Sequence, residues 1–341
     1  MREFDQDHGF YYGFLIEDAQ KCYEEMLANI REYKEEFDLT PITEAEYLKA
    51  NRALLDDHPE LWWADTPARY SYKFGHRVYH HHFLELKGNE KETTALIEEK
   101  AKEILDEASA LQNEWQKALL FHDRIVRMTK FNAGADTDGF NDQNMSSVFL
   151  GGISVCAGYS RALQYLCQNA GIDCIYVTGP AFKNRRTIKH AWNMAKIRGQ
   201  WTWIDSTWDD LQQQDGSETV EHDYFCVNDE WISKDHQIPD ALATGRRNLN
   251  IKIRFPKADS LEQEYHRTAG TFFPVYDPDA VNESITKQGN RVRLRFGSPL
   301  ELRKAVEDIV YKNDLLNHPD YVLSKDDDSC VLRMDIKTAE I

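Results

Sequence analysis

The hydrophobic periods along these 341 residues predict an α+β fold. Helical spacing dominates up to about residue 130, and strand alternation around a tight turn dominates from 190 to 207. Between them, Gly151–Asp210 carries a cysteine at the mouth of a predicted helix, then a histidine and an aspartate on predicted strands. A closing strand–helix–strand stretch beyond residue 290 reads as a small α/β unit.

The elements follow in order. Ala19, Cys22, Tyr23, Met26, Ile30, Tyr33 and Phe37 fall at helical spacing over 17–37. Thr43 and Glu46 form a capping box that opens a second helix, which stops before Pro59. Arg69–Leu86, rich in Tyr, Phe and Val, reads as strand. Helices return over roughly 95–111 (Ile97, Ala101, Ile104, Ala108) and 114–130 (Trp115, Ala118, His122, Ile125). Asn132–Asn144, rich in Gly, Asp and Asn, reads as a surface rim or lid. Near the end, Val292, Leu294 and Phe296 alternate, Ser298 caps a helix with Pro299 at its first position, and Cys330, Leu332, Met334 and Ile336 form a closing strand. This gives a helical accessory region over 1–90, a core over 91–240 and a C-terminal α/β unit over 250–341, reached through the basic connector Gly245-Arg246-Arg247-Asn248.

Composition narrows the function. With 41% hydrophobic and 12% aromatic residues the chain can bury a substantial core. Its 58 acidic against 41 basic residues, a net −17, argue against binding a nucleic-acid backbone. Cys22, Cys156, Cys167, Cys174, Cys226 and Cys330 lie far apart without CxxC spacing, so neither a zinc finger nor a dense disulfide framework is expected. No signal peptide or membrane-spanning run is visible, which points to the cytoplasm; an exported location follows if a leader has been removed.

Cys156 precedes the helical stripe Tyr159, Leu163, Leu166, Cys167 and Ala170, which Gly171 ends. The free N–H groups and positive dipole end of a helix N-terminus favour a thiolate there. Small neighbours, Ala157 and Gly158, are expected to let a substrate carbonyl approach. His190–Ile197 and Gln200–Thr207 flank Arg198-Gly199, a hairpin signal. If that pair centres the turn, opposed residue numbers sum to 397, so Asp205 faces Trp192 and shares a side of the sheet with His190. Diagonal neighbours of this kind lie roughly 7–8 Å apart, within reach of long side chains. A carboxylate so placed fixes the tautomer of an imidazole and stabilises its charged form.

These residues resemble the transglutaminase-like superfamily of papain-fold proteins. The resemblance rests on Val155-Cys156-Ala157-Gly158-Tyr159, Gly171-Ile172, Val177-Thr178-Gly179, His190-Ala191-Trp192-Asn193 and Trp203-Ile204-Asp205-Ser206-Thr207-Trp208-Asp209-Asp210. Tyr224–Asp229 and Asp235-His236 look like the bacterial branch, and weaker similarity reaches upstream through Trp115–Phe131 and Asp57–Trp63. It implies a papain-like, transglutaminase-core fold in which a nucleophile helix packs on an antiparallel sheet. It implies Cys156 as nucleophile, His190 as base and Asp205 as orienter. The N–H of Cys156 is the first oxyanion donor, and Gln143 is a candidate second because papain-like enzymes use an upstream glutamine. Tyr159, Trp192 and Trp208 are expected along the cleft.

The function so indicated is a thiol-dependent amide hydrolase or acyltransferase acting on a protein or peptide through a thioester, peptidase-like in preference. The alternatives are a non-catalytic binding module on the same fold and a cross-linking transglutaminase. No metal ion, cofactor, nucleic acid or membrane partner is expected. His76, His80, His81 and His82 form no complete ligand set, since strand alternation separates His81 from its neighbours. Asp136-Thr137-Asp138-Gly139 resembles the start of a calcium loop, but Ser147 stands where its closing glutamate belongs.

Overall fold

Helix α1 (Glu17–Arg31) buries Ala19, Cys22, Tyr23, Met26 and Ile30 on one face, as the spacing predicts, but ends earlier than expected. Tyr33 takes a left-handed backbone (φ 57°), so the chain turns and Phe37 lies in strand β1 (Glu36–Asp38) instead. Helix α2 (Glu44–Asp57) begins at the predicted cap, where Thr43 accepts the N–H of Glu46 at 3.2 Å. The strand-like segment is a hairpin, β2 (Pro67–Phe74) against β3 (Arg77–Leu84), with β1 on the other edge of β3. Helices α3 (Glu90–Ser109) and α4 (Glu114–Met128) follow. Short strands β4 (Lys130–Phe131) and β5 (Ile153–Ser154) pair in parallel and deliver the chain into helix α5 (Cys156–Asn169).

This computed structural model describes residues 7–64, 67–74, 77–84, 86–132, 134, 142–183, 185–212, 218–244, 250–312 and 321–336. The Asp136–Gly139 segment, the Gly245–Asn248 connector and His76 lie outside the described residues, as do the side chains of His80, His81 and His82.

Strands β6 (Cys174–Lys183), β7 (Arg186–Ile197), β8 (Gln200–Ile204) and β11 (Phe225–Val227) form one antiparallel sheet in the order β11-β8-β7-β6. A side ribbon pairs β9 (Asp210–Gln212) with β10 (Glu218–Val220). Strand β7 starts at Arg186, four residues before His190, because it first pairs with β6 in a second hairpin. The turn at Arg198-Gly199 sets the β7–β8 register with Ile197 opposite Gln200 and Asn193 opposite Ile204, so paired numbers sum to 397.

The sheet separates two packed layers. Val177, Trp192, Met194 and Trp203 join the core built on α1 and α2. On the other side, Tyr176 and Ala191 meet Ala157, and Asn193 Nδ2 donates to the Ser160 carbonyl at 2.9 Å, seating α5. Short helix α6 (Asp229–Ile232) and the pair β12 (Ala241–Leu242) with β13 (Ile251–Lys252) complete this unit.

The chain divides into two compact units, Met1–Ser260 and Leu261–Ile341. The first 90 residues therefore belong to the same unit as the predicted core. Buried polar contacts explain this: Gln164 Nε2 on α5 donates to the Asp56 carbonyl at 2.8 Å, and Tyr11 Oη donates to the Tyr176 carbonyl at 2.6 Å. The second unit begins at Leu261, not at 250, because Ile251, Phe255 and Ala258 are buried in the first core. Within the second unit, α7 (Tyr265–Thr268) precedes β14 (Phe272–Phe273), α8 (Pro278–Gln288), β15 (Arg291–Phe296), α9 (Pro299–Lys312), β16 (Tyr321–Asp326) and β17 (Val331–Ile336). Its sheet runs β14-β15-β17-β16, and Val292, Leu294, Phe296, Leu332 and Met334 pack with the helices. Buried Arg295 closes an ion pair with Glu264 at 2.6 Å.

Candidate active site

Cys156 is the first residue of α5, with Val155 extended at the cap, so its N–H is among those without an intrahelical acceptor. The loop before it is tied down by hydrogen bonds. Val155 N donates to the Asp142 carbonyl at 3.2 Å, and Ser147 Oγ donates to Ser154 Oγ at 2.7 Å. The sulfur is half-buried against Ala157, Tyr176 and Ala191.

His190 is buried on β7, and its Nε2 lies 2.6 Å from Asp205 Oδ2. Its ring is also close enough to the Cys156 side chain for the two to influence each other's charge. With Nε2 on the carboxylate, Nδ1 is the nitrogen left for sulfur. Asp205 follows directly on β8 and is fully buried. Its Oδ1 accepts the N–H groups of Thr207 at 2.9 Å and Trp208 at 3.1 Å, and its own N–H donates to the Tyr224 carbonyl at 3.1 Å. The predicted trio thus meets in one place.

A fourth member was not expected. His236 Nε2 lies 3.0 Å from the same Asp205 Oδ2, and its Nδ1 lies 2.6 Å from Asp235 Oδ1. Trp208, half-buried, covers both imidazoles, with ring centroids 5.3 Å from His190 and 4.3 Å from His236. His236 stands 31 residues from Asp205, and no spacing rule ties the two.

Charge follows from this geometry. Burial opposes protonation of His190, but the charge of Asp205, its hydrogen bond and the contact with Cys156 outweigh burial and push the imidazole up to about 10. Burial also works against the Asp205 carboxylate, yet His190 and His236 hold it well below the usual carboxylate range. His236 is raised as well, because Asp205 and Asp235 outweigh its burial.

The other expected site residues fall differently. Tyr159 is fully buried, its Oη donating to Asp210 Oδ2 at 2.7 Å with the Thr129 carbonyl 3.1 Å away, so it braces the interior and does not line a cleft. Trp192 is also fully buried and lies beneath His190, centroids 6.0 Å apart, as a floor and not a wall. Gln143 is exposed and donates to Asp142 Oδ1 at 3.0 Å; it follows the residue whose carbonyl anchors Val155. Gly158 does not open space for substrate: an added Cβ would stand 2.0 Å from Ser154 Oγ and 2.9 Å from the Asn144 carbonyl. A polar cavity lined by Arg31, Asp57, His58, Glu60 and Gln168 includes the last turn of α5, at the opposite end from Cys156.

The family model of the transglutaminase-like superfamily matches residues 98–206, a span that holds Cys156, His190 and Asp205. This segment is transglutaminase-like. Kyphoscoliosis peptidase of Mus musculus is 33% identical over 63 residues, which are 16% of this chain and 9% of that protein. The chain thus spans about a tenth of the length of that relative. Among solved structures, one titled as a TGase aligns over 43% of this chain and 45% of its own at 14% identity and TM-score 0.32. The periplasmic domain of TgpA from Pseudomonas aeruginosa aligns over 38% and 55%, at 16% identity and TM-score 0.28. Among the described residues, no helix is long and apolar enough to cross a membrane.

Proposed function

We propose that this protein is a thiol-dependent amide hydrolase of the peptidase type. The observation that carries the reading is a buried histidine, fixed by Asp205 at 2.6 Å, beside a half-buried cysteine at a helix N-terminus. Cys156 supplies the attacking sulfur. It adds to the carbonyl carbon of the substrate amide, and the developing oxyanion is met by the Cys156 N–H and the Gln143 amide after that side chain leaves Asp142. The C–N bond then breaks as His190 gives its proton to the departing amine, leaving a thioester. Water, activated by the now neutral His190, attacks the thioester, releases the acid and restores the pair. Asp205 keeps the imidazole oriented throughout and stabilises its charge. A peptide or protein is the substrate, in keeping with the word peptidase in the name of the murine relative. All six cysteines are free thiols, which supports a reducing, cytoplasmic location.

The test is hydrolysis of a peptide library by the parent and by Cys156→Ala. The variant keeps its circular dichroism and loses turnover by more than about 10³-fold. Comparable turnover in both proteins overturns the reading, and incorporation of a labelled amine in place of hydrolysis identifies transfer instead. Independently of substrate, Cys156 alkylation by iodoacetamide at pH 6 is expected to slow about tenfold or more in His190→Ala. Equal rates would mean that the histidine does not activate the thiol, leaving a non-catalytic binding module on this fold.

A further inference from the structure

The segment that begins at Asp205 ends in a second cluster of histidine and aspartate that the proposed chemistry does not use. His122 on α4 is fully buried, with Nδ1 3.1 Å from Asp123 Oδ1 and Nε2 3.2 Å from Asp209 Oδ2. His222 brings its Nε2 to 2.8 Å from the same Asp123 Oδ1. The donor atoms of His122, Asp123 and His222 all lie within 4.8 Å of one another. Asp123 and His222 keep 16% and 13% of their side-chain surface exposed, so the cluster opens to solvent while its far side is dry.

We propose that His122, Asp123 and His222 bind a divalent transition-metal ion of the zinc class, with Asp209 as the positioning residue behind His122. Two imidazoles and one carboxylate suit zinc or a neighbouring first-row ion and leave a fourth position for water. An ion held at about 2.0–2.2 Å by each ligand needs donors somewhat over 3 Å apart, so the present separations of 2.8 and 3.1 Å open by only a few tenths. A carboxylate on the second ring nitrogen is what metal-bound histidines ordinarily have, and it fixes the tautomer that turns the other nitrogen's lone pair to the ion. Asp209 occupies that place and is itself held by the Tyr224 N–H at 3.1 Å. Arg127 takes Asp123 Oδ2 at 3.0 Å, leaving Oδ1 as the ligand atom. Tyr224 also carries the carbonyl that anchors Asp205, so the ion braces the segment holding the orienting carboxylate. The site departs from the sequence expectation of no metal, since 99 residues separate Asp123 from His222.

The test uses the full chain carrying Cys156→Ser, which removes a competing thiol, after dialysis against a chelator. Cobalt titration is expected to give one ion per chain, with visible ligand-field bands and no thiolate charge-transfer band. Zinc is expected to raise Tm by roughly 5 °C at a hundredfold excess over Kd. His222→Ala in that background abolishes both signals, and His190→Ala preserves them. Asp123→Asn is the second ligand variant, and circular dichroism shows which of the two is folded and serves for the comparison. Failure of the Cys156→Ser protein to bind cobalt overturns the proposal. So does undiminished binding in a folded ligand variant, or loss of binding with His190→Ala, which would place the ion at the catalytic cluster.

Discussion

At the scale of single residues, the site is held by contacts that short side chains make possible. Gly158 is pressed against Ser154, Ser147 and Asn144, so Gly158→Ala forces the serine network apart just beneath the nucleophile. The expected cost is about 1–3 kcal/mol in urea unfolding, accompanied by slower Cys156 alkylation. An unchanged midpoint would show that the loop yields freely. The sequence offers the small residue but not the direction it faces, which is why Ala157-Gly158 reads there as room for substrate. His236 makes a second argument at this scale. It shares Asp205 Oδ2 with His190 and is itself held by Asp235, so it orients the orienting group. Removing it in His236→Ala is expected to lower kcat about tenfold with little change in KM, because it is buried behind Asp205. A rise in KM alone would place His236 in substrate binding instead.

Secondary-structure elements were legible wherever the determinants are local. The Arg198-Gly199 turn has φ values of 50° and 78°, matching the right-handed strand twist, and that turn alone fixes which residues of β7 and β8 meet. Two strands and one turn therefore suffice to bring His190 and Asp205 together from sequence. Thr43 and Ser298 announce their helices in the same local way, each accepting an N–H from the residue three positions on. The end of α1 was not legible, because Phe37 keeps the helical spacing while the left-handed Tyr33 diverts the chain. Strand β6 was missed as a partner of β7, since its pairing depends on a turn without a comparable signal. The turn gives a clean prediction. A Cβ on Gly199 meets nothing within 4 Å, so Gly199→Ala carries only the strain of its positive φ, about 1 kcal/mol. Thermal unfolding measures this, and a neutral or stabilising result would mean that the turn tolerates a different backbone.

Over the whole molecule, what escapes a linear reading is long-range burial of charge. Nothing in the spacing shows that Asp56 and Asp57 on α2 are buried, that Arg161 on α5 reaches Asp56 at 3.4 Å, or that this ties the first 60 residues to the nucleophile helix. The same burial sets how stability depends on pH. His190 has an ordinary value near 6.5 in the unfolded chain and is pushed up to about 10 in the folded one, burial being outweighed by Asp205. A base raised on folding contributes its full stabilisation below pH 6.5 and loses it as pH climbs through 10. His236 is shifted in the same direction. Asp205 is shifted down, so its share of the interaction persists above pH 4 and disappears only under stronger acid. Burial raises the carboxyls of Asp56 and Asp57, so the folded state resists their ionisation and loses stability as pH rises past their unfolded values near 3.9. Above neutrality the two histidine contributions agree in sign. Calorimetry should therefore find Tm highest on the acid side of pH 7 and falling by several degrees between pH 7 and 10, with a shallower fall in His190→Ala. Stability that rises from pH 7 to 9, or an alkaline decline identical in the variant, would show that the His190–Asp205 pair does not carry the linkage.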